Sequence, residues 1–356
     1  MTENNLLVSI DFRRGKGGIA RVAQSIFRSL EFSTVLSLHG KESNDSSVYY
    51  FNSNRFVFLL KVLRSIFLKS PDLIVFDHLN LARLLVLVPN VYLRKVVIFL
   101  HDEEAWKEVS GLHKLALLKA THILCNSEYT MKLFLQNNKG FISKTKVCLP
   151  GGVPEAFLET VKIKDKSFKD WFENERPYCL FVSRLWKVHR FKGYFELLTA
   201  FKEHYKSTAG ASLRLAIIGN GDDAAEVHSF ITQHNLGRHV QLFSGLGDEE
   251  LAEFYKNSSA LLFPSTREGF GFVFLEAMFF KKACIGIANQ PAEEIIVKGL
   301  GGVLLPDNKP ETLKAIIEDI EEYPEKYKRY GEEGHLRYLE NFTNEHFKER
   351  FLKCIS

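Results

Sequence analysis

Short apolar runs alternate with amphipathic stretches along the whole chain, and that alternation leaves few architectures open. In the first half NNLLVSID, STVLSLH, DLIVFDH, KVVIFLHD and THILCNS read as strands, while IARVAQSIFRSL and FVFLLKVLRSIFLK carry helical spacing. In the second half the strand-like runs are YCLFVSRL, LRLAIIGNG, HVQLFSG, SALLFPST and ACIGI. Between them lie FELLTAFKEHY, AAEVHSFITQHN, EELAEFYKNS, FVFLEAMFF and PETLKAIIEDI. Apolar strands without alternation, separated by helices, are buried on both faces, as in parallel sheets. The pattern predicts an α/β fold with one doubly wound sheet in each half.

The chain has 356 residues, and at about 150 residues per domain that is two domains. The turn LPGGVPEAF and the charged VKIKDKSFKDW place the boundary near 150–175. The tail 342–356 puts Phe347, Phe351 and Leu352 on one helical face, predicting a helix that packs back on the first domain. No run reaches the length of a membrane span, and Glu3 stands where a signal peptide needs a cation, so a cytoplasmic protein is expected. The five cysteines (Cys125, Cys148, Cys179, Cys284, Cys354) are scattered and read as reduced thiols.

Charge is unevenly distributed. Residues 1–150 hold 20 Lys and Arg against 12 Asp and Glu, a net +8, while the remainder hold 27 against 31, a net −4. A basic half fits an anionic partner or a solvated basic face equally well. Nucleic acid is disfavoured, because no recognition module with its sequence cues is present.

Residues 261–278, LLFPSTREGFGFVFLEAM, carry the most chemistry. A strand ends at Pro264, a polar turn leads into Gly269, Phe270 and Gly271, and a helix runs through Val273 to Met278. Glycine lets backbone approach a ligand, and free N–H groups at a helix start attract an anion such as a diphosphate. Glu268 and Glu276 flank that start. Eight residues cover about 12 Å in a helix, comparable to a sugar nucleotide. One carboxylate then meets the sugar end and the other the ribose end. The bare spacing equally fits two surface glutamates, and Phe270 and Phe272 equally fit core packing.

This E-G-F-G-x-x-x-L-E-A segment resembles the donor-binding signature of family 4 glycosyltransferases, retaining enzymes with the GT-B fold. LRLAIIGNGD, HVQLFSGLGDEELAEFYKNSSALLFPS and GGVLLPDNKPETLKAII are similar to the family's second domain. GKGGIARVAQSIFRSL, LHDEEAW, THILCNSEYT and KVCLPGGV are similar to its first. The resemblance implies two Rossmann-like domains facing across a cleft: an acceptor-side domain over 1–160 and a nucleotide-sugar domain over 170–335.

It also implies residue roles. Glu268 sits at the transferred sugar and Glu276 at the ribose. Gly269, Phe270, Gly271 and Phe272 contribute backbone to the donor. Arg184 and Lys192 clamp the diphosphate. The stretch between them is longer than is usual in the family, which leaves Lys187 and Arg190 as alternatives to Lys192. Gly17 and Gly18, beside Lys16, approach the phosphates from the first domain, and Gly219 and Asn220 from the second. His101 ends a strand at the edge where such sheets bind ligands and lies beside the reacting sugar. Asp102, Glu103 and Glu104 follow it, but the family holds its diphosphate without a metal, so no metal and no cofactor is expected. Asn126 and Ser127 are candidates for the acceptor side. Asn289 and Gln290 stand where the family often has Gly-Gly, ahead of Glu294.

The expected function is transfer of a hexose from a nucleotide sugar to a saccharide acceptor. The stretch RFVFLLKVLRSIFLK (55–69) reads as an interfacial helix or as a core helix with a basic rim. The first choice, with the basic half, suggests a lipid-linked acceptor at an anionic membrane surface. The alternatives are another GT-B protein, such as a sugar-nucleotide epimerase or a soluble-sugar synthase, or a non-catalytic sugar-nucleotide-binding relative.

Overall fold

The computed structural model describes residues 4–13, 17–41, 45–158, 169–173, 176–208, 210–297 and 300–356. Most of VKIKDKSFKDW, and Lys16, lie outside the described residues. The chain divides into one unit made of Met1–Gly152 with Phe342–Ser356, and a second, Val153–Asn341.

The first unit is built on a seven-stranded parallel sheet. Its strands are β1 (Asn5–Asp11), β2 (Thr34–His39), β3 (Val48–Tyr50), β4 (Leu73–Phe76), β5 (Lys95–Leu100), β6 (His122–Cys125) and β7 (Thr145–Val147), in the order β3-β2-β1-β4-β5-β6-β7. The second has six: β8 (Tyr178–Val182), β9 (Arg214–Ile218), β10 (Val240–Phe243), β11 (Ala260–Leu262), β12 (Ala283–Ile287) and β13 (Gly302–Leu305). Their order is β10-β9-β8-β11-β12-β13. In both sheets the chain starts in the middle, winds one way, and returns to wind the other. Leu7 of β1 faces Val35 and Val75, and Leu180 of β8 pairs with Ala216 and Leu261. The central strands are apolar throughout because helices cover both faces. The resulting reversals, between β1 and β4 and between β8 and β11, are where such sheets open a crevice at their strand C-termini.

The last helix, Asn344–Ile355, completes the first unit. Its buried side is Phe347, Phe351, Cys354 and Ile355, with Leu352 only half-buried, so the apolar stripe runs one position off the expected face. Arg350 Nε donates to the Leu149 carbonyl at 3.1 Å, and Gly152 N–H donates to the Phe342 carbonyl at 2.6 Å. A Cβ on Gly151 would meet the Thr343 carbonyl oxygen at 2.5 Å. The Gly-Gly of LPGGV therefore serves a crossing of two chain segments.

Helix Pro324–Asn341 contains two glycines at a similar approach. A Cβ on Gly331 would meet the Lys281 carbonyl oxygen at 2.0 Å, and one on Gly334 would meet the Gly301 Cα at 2.9 Å. Gly331→Ala is expected to lower unfolding free energy by about 1–3 kcal/mol, outweighing a helix-propensity gain of up to about 1 kcal/mol. Gly237→Ala, where a Cβ meets nothing within 4 Å, serves as control. Denaturant unfolding of both variants checks the difference; equal stabilities would refute the close-approach account.

Candidate active site

In the second unit, the loops leaving β8 and β11 sit side by side at the sheet reversal. After β8 come Ser183, Arg184, Leu185 and Trp186. A short 3-10 segment, Lys187–Lys192, then leads into Gly193 and helix Tyr194–Ser207. After β11 the chain runs through Phe263–Gly271 into helix Phe272–Phe279. The two loops are tied by backbone: Thr266 N–H donates to the Phe191 carbonyl at 2.9 Å. Gly193 has φ +82°, and a Cβ there would meet the Pro264 carbonyl oxygen at 2.6 Å. Only glycine fits that contact.

On this frame the Lys192 ammonium pairs with the Glu268 carboxylate, both mostly shielded from solvent. The same ammonium lies 5.3 Å from the centre of the Phe263 ring and 5.6 Å from that of Phe191. Arg184 is exposed, its guanidinium 4.9 Å over Trp186, and Trp186 in turn stacks on His189 at 5.3 Å. Gly271, at φ +99°, caps the helix start. Phe270 is buried, edge to face with Phe272 at 5.3 Å, so its side chain packs in the core while its backbone stays at the turn. Glu276 is buried on the same helix and accepts a hydrogen bond from Tyr255 Oη at 2.7 Å. Neither Trp186 nor Tyr255 stands out in the sequence alone, although Tyr255 lies in the family-like stretch HVQLFSGLGDEELAEFYKNSSALLFPS.

Other candidates are engaged differently. Arg190 donates to both oxygens of Asp223, at 2.7 and 2.8 Å, and to Glu226 at 2.6 Å. Tyr194 Oη also donates to Asp223, at 2.6 Å. The Arg190 hydrogen bonds hold the Asp223 carboxyl below its usual range. This network anchors helix Ala224–Gln233, so Arg190 is committed to structure and Lys192 is the cation that reaches Glu268. Lys187 is exposed, and its backbone N–H donates to Asp222. A Cβ on Gly219 would meet the Ser183 carbonyl oxygen at 2.0 Å, and Asn220 Oδ1 accepts from Gly245 N–H at 3.1 Å. These two brace the loop that carries Arg184. Asn289 adopts φ +58°, a left-handed conformation that asparagine tolerates.

In the first unit, Gly17 (φ +95°) caps helix Gly18–Ser29 beside the β1/β4 reversal, with open space at its Cβ position. Asp77 and His78 follow β4, and His101 follows β5. Asp77 accepts hydrogen bonds from Ser9 Oγ at 2.5 Å and Ile10 N–H at 3.0 Å. His101 Nε2 donates to the Asp77 carbonyl at 2.6 Å, its ring stacked on Phe99. Glu104 accepts from His101 N–H at 3.1 Å and pairs with His78 Nε2 at 3.0 Å, while His78 Nδ1 accepts from Asn80 N–H. The run after His101 thus contributes a buried ion pair. Among the described residues, no group of three or more His, Cys, Asp or Glu is placed to hold a metal ion. Ser127 is fully buried and caps helix Glu128–Asn137 through Thr130 N–H at 3.0 Å, so its hydroxyl lines no open surface; Asn126 beside it is buried too. Asp77 and His78 were legible as polar residues ending the strand-like DLIVFDH, a position that favours ligands.

Burial sets the charge states of this cluster. It pushes Asp77 up from 3.8 to about 7, against hydrogen bonds from Ser9 and Ile10. It pushes His101 down from 6.5 to about 4. A raised carboxyl contributes stability that is lost as pH rises from the unfolded to the folded value. A depressed histidine contributes stability that is lost as pH falls from the unfolded to the folded value. The two effects oppose each other between pH 4 and 6.5. Asp77→Asn leaves the histidine unopposed, so its stability relative to the parent is expected to rise with pH across that window by about 1.4 kcal/mol per unit. His101→Asn is expected to show the opposite slope. Denaturant unfolding at several pH values measures both, and parallel profiles would contradict the assignment.

Comparisons with known proteins agree with this architecture. Residues 163–337 match the family model for glycosyl transferases group 1. An uncharacterized glycosyltransferase of Methanocaldococcus jannaschii is 33% identical over 118 residues, a third of each chain. The capsular polysaccharide biosynthesis glycosyltransferase CapM of Staphylococcus aureus is 25% identical, over 59% of this chain and 54% of its own. The matched segments thus span between a third and little more than half of these curated relatives. Anabaena Alr3699/HepE, solved in complex with UDP and glucose, superposes with a TM-score of 0.78 at 17% identity, covering 99% of this chain and 98% of that one. Both sheets, their strand orders and this likeness establish the GT-B fold, and the match to the glycosyl transferases group 1 family lies within the second unit.

Proposed function

We propose that the chain transfers a hexose from a nucleotide-diphosphate sugar to a saccharide acceptor, with retention of configuration and without a metal. The observation that carries this reading is that the loop after β8, which holds Arg184 and Lys192, and the loop after β11, which holds Glu268 and leads into helix Phe272–Phe279, are joined at the β8/β11 reversal. Those are the parts a diphosphate leaving group requires: two cations and a helix N-terminus directed at developing negative charge. An ammonium has three N–H donors, so contact with Glu268 leaves Lys192 able to reach a phosphate oxygen. Arg184 offers a planar fork suited to phosphate, and no ion-pair partner holds it among the described residues. Tyr255 fixes the Glu276 carboxylate in the role of ribose acceptor. Glu268, tied to Lys192, stands toward the transferred sugar. The Anabaena protein's complex with UDP and glucose supports a nucleotide-sugar donor, and CapM supports a role in cell-surface polysaccharide synthesis.

Glu268→Ala and Arg184→Ala are each expected to cut kcat by about 10²-fold or more while thermal unfolding stays near the parent value. Full transfer by either purified variant would overturn the assignment. A thermal-shift screen with UDP-, GDP-, ADP- and TDP-sugars identifies the donor. At 100 times its Kd it adds about 2.7 kcal/mol of stability.

The acceptor side of the proposal is a lipid-linked saccharide met at the inner face of an anionic membrane. Helix Arg55–Lys69 buries Phe58, Val62, Ser65 and Ile66, yet leaves Phe56 69% and Leu68 71% exposed, with Val57 and Leu60 also outside the core. It holds Arg55, Lys61, Arg64 and Lys69 and no acidic residue. Apolar side chains rimmed by cations suit an anionic lipid surface. Among the described residues no helix is long and apolar enough to cross a membrane. In flotation, the protein is expected to rise with vesicles containing phosphatidylglycerol, and a Phe56→Ser/Leu60→Ser variant to rise less. Equal flotation with neutral vesicles would remove the anionic surface from the proposal, and no flotation with either kind would remove the membrane and leave a soluble acceptor.

A further inference from the structure

The cysteines scattered through the sequence do not stay scattered in the fold. Cys125, Cys179 and Cys284 lie inside β6, β8 and β12, with no exposed surface, and burial pushes their thiols up. Cys148 and Cys354 differ. Cys148 follows β7, Cys354 occupies the last turn of helix Asn344–Ile355, and the two thiols are near enough to bias each other's protonation. Cys354 Sγ also donates to the Val147 carbonyl at 3.3 Å. Lys146 Nζ donates to the Cys354 carbonyl at 2.8 Å, and Arg350 and Lys353 bring further positive charge to the same sulfur. Cys354 is 8% exposed and Cys148 not at all. The pair is therefore unsymmetrical: one sulfur at the edge among cations, the other behind it. The hydrogen bond from Cys148 and these cations draw the Cys354 thiol down, while burial holds the Cys148 thiol up.

We propose that Cys354 is a thiol–disulfide exchange site for low-molecular-weight disulfides, with Cys148 as its resolving partner. The Cys354 thiolate attacks one sulfur of a disulfide RSSR; the S–S bond breaks, RS⁻ leaves, and a mixed disulfide forms on Cys354. Cys148 then gives its proton to the departing thiolate, and its sulfur attacks that of Cys354 and expels the second RS⁻. Two protein thiols are oxidised to one disulfide, and RSSR is reduced to two RSH. A thiolate flanked by cations is the competent nucleophile, and the resolving thiol belongs to the residue next to Val147, whose carbonyl Cys354 Sγ already meets at 3.3 Å. The bridge closes a loop containing the entire second unit and fastens helix Asn344–Ile355 to the end of β7.

The test treats the folded protein with oxidised glutathione and reads intact mass and disulfide-linked peptides without reduction. The parent protein is expected to lose two of its five free thiols and two hydrogens in mass, with Cys148 joined to Cys354, reversibly on adding dithiothreitol. Cys148→Ser is expected to stop at a glutathione adduct on Cys354, and Cys354→Ser to take up none. A persistent glutathione adduct on the parent's Cys354, reaction of Cys354→Ser at the parent rate, or no loss of thiols would overturn the proposal. If either variant fails to fold, as read by circular dichroism, the peptide map of the parent decides alone, since any linkage other than Cys148 to Cys354 counts against it.

Discussion

Backbone packed on backbone is the constraint on which the candidate site depends. The loops leaving β8, β9 and β11 touch through positions where no side chain fits. Gly193 lies against Pro264, Gly219 against Ser183, and Gly221 against Leu185, where a Cβ would meet the carbonyl oxygen at 1.9 Å. Hydrogen bonds follow the same contacts, from Leu185 N–H to the Asn220 carbonyl and from Asp223 N–H to that of Leu185. With three loops locked at main-chain distance, the long side chains of Arg184, Lys192 and Glu268 start from fixed points. Their placement then depends little on rotamer entropy in the loops themselves, which is what preorganised charge stabilisation requires.

The two units solve the same problem with different chemistry. The second carries its charges at the rim, where an ammonium and a carboxylate neutralise each other and stay partly hydrated. The first buries its titratable groups, which favours the neutral forms of Asp77 and His101 and leaves Glu104 paired with His78. Asp77, His78, His101 and Glu104 lie within two strand ends, and each is satisfied by a specific partner. A buried charge costs several kcal/mol unless paired and hydrogen-bonded, which accounts for the completeness of this network. It also fixes the His101 tautomer: with Nε2–H given to the Asp77 carbonyl, Nδ1 carries the lone pair.

Much of the fold was legible because parallel strands buried on both faces print as apolar runs. All the runs read as strands contain strands, and the helical spacing of IARVAQSIFRSL and PETLKAIIEDI matches Gly18–Ser29 and Pro310–Glu322. Edge strand β3, three residues long, was missed because VYY is too short to show a period. Helices Gly111–Lys119 and Pro324–Asn341 were missed for another reason. The first leaves Leu112, Leu115 and Leu118 exposed, and the second carries glycines where helices normally avoid them. Candidate site residues were legible where they sat in a motif. What sequence could not supply is which cation among Lys187, Arg190 and Lys192 reaches Glu268. That answer depends on Asp223 and Glu226, some 33 and 36 positions away from Arg190, which claim the arginine first.

The order of the chain adds a consequence for how the units form. The second unit is continuous in sequence, whereas the first is interrupted by it and regains its last helix only after residue 341. Until then Phe347 and Phe351, both without exposed surface in the finished structure, have no place beside helix Gly18–Ser29, and the Leu149 carbonyl lacks the Arg350 donor. The sheet of the first unit is nevertheless built entirely from residues before Gly152. The sheet can therefore form early, and the closing helix arrives as a capping element held by apolar burial and polar contacts together. Burying two phenylalanines contributes roughly 3–6 kcal/mol, while the Arg350 and Lys146 hydrogen bonds to backbone add about 1.5–3 kcal/mol each at most. The two contributions are of comparable size, and the directional polar contacts set the helix's register against the end of β7.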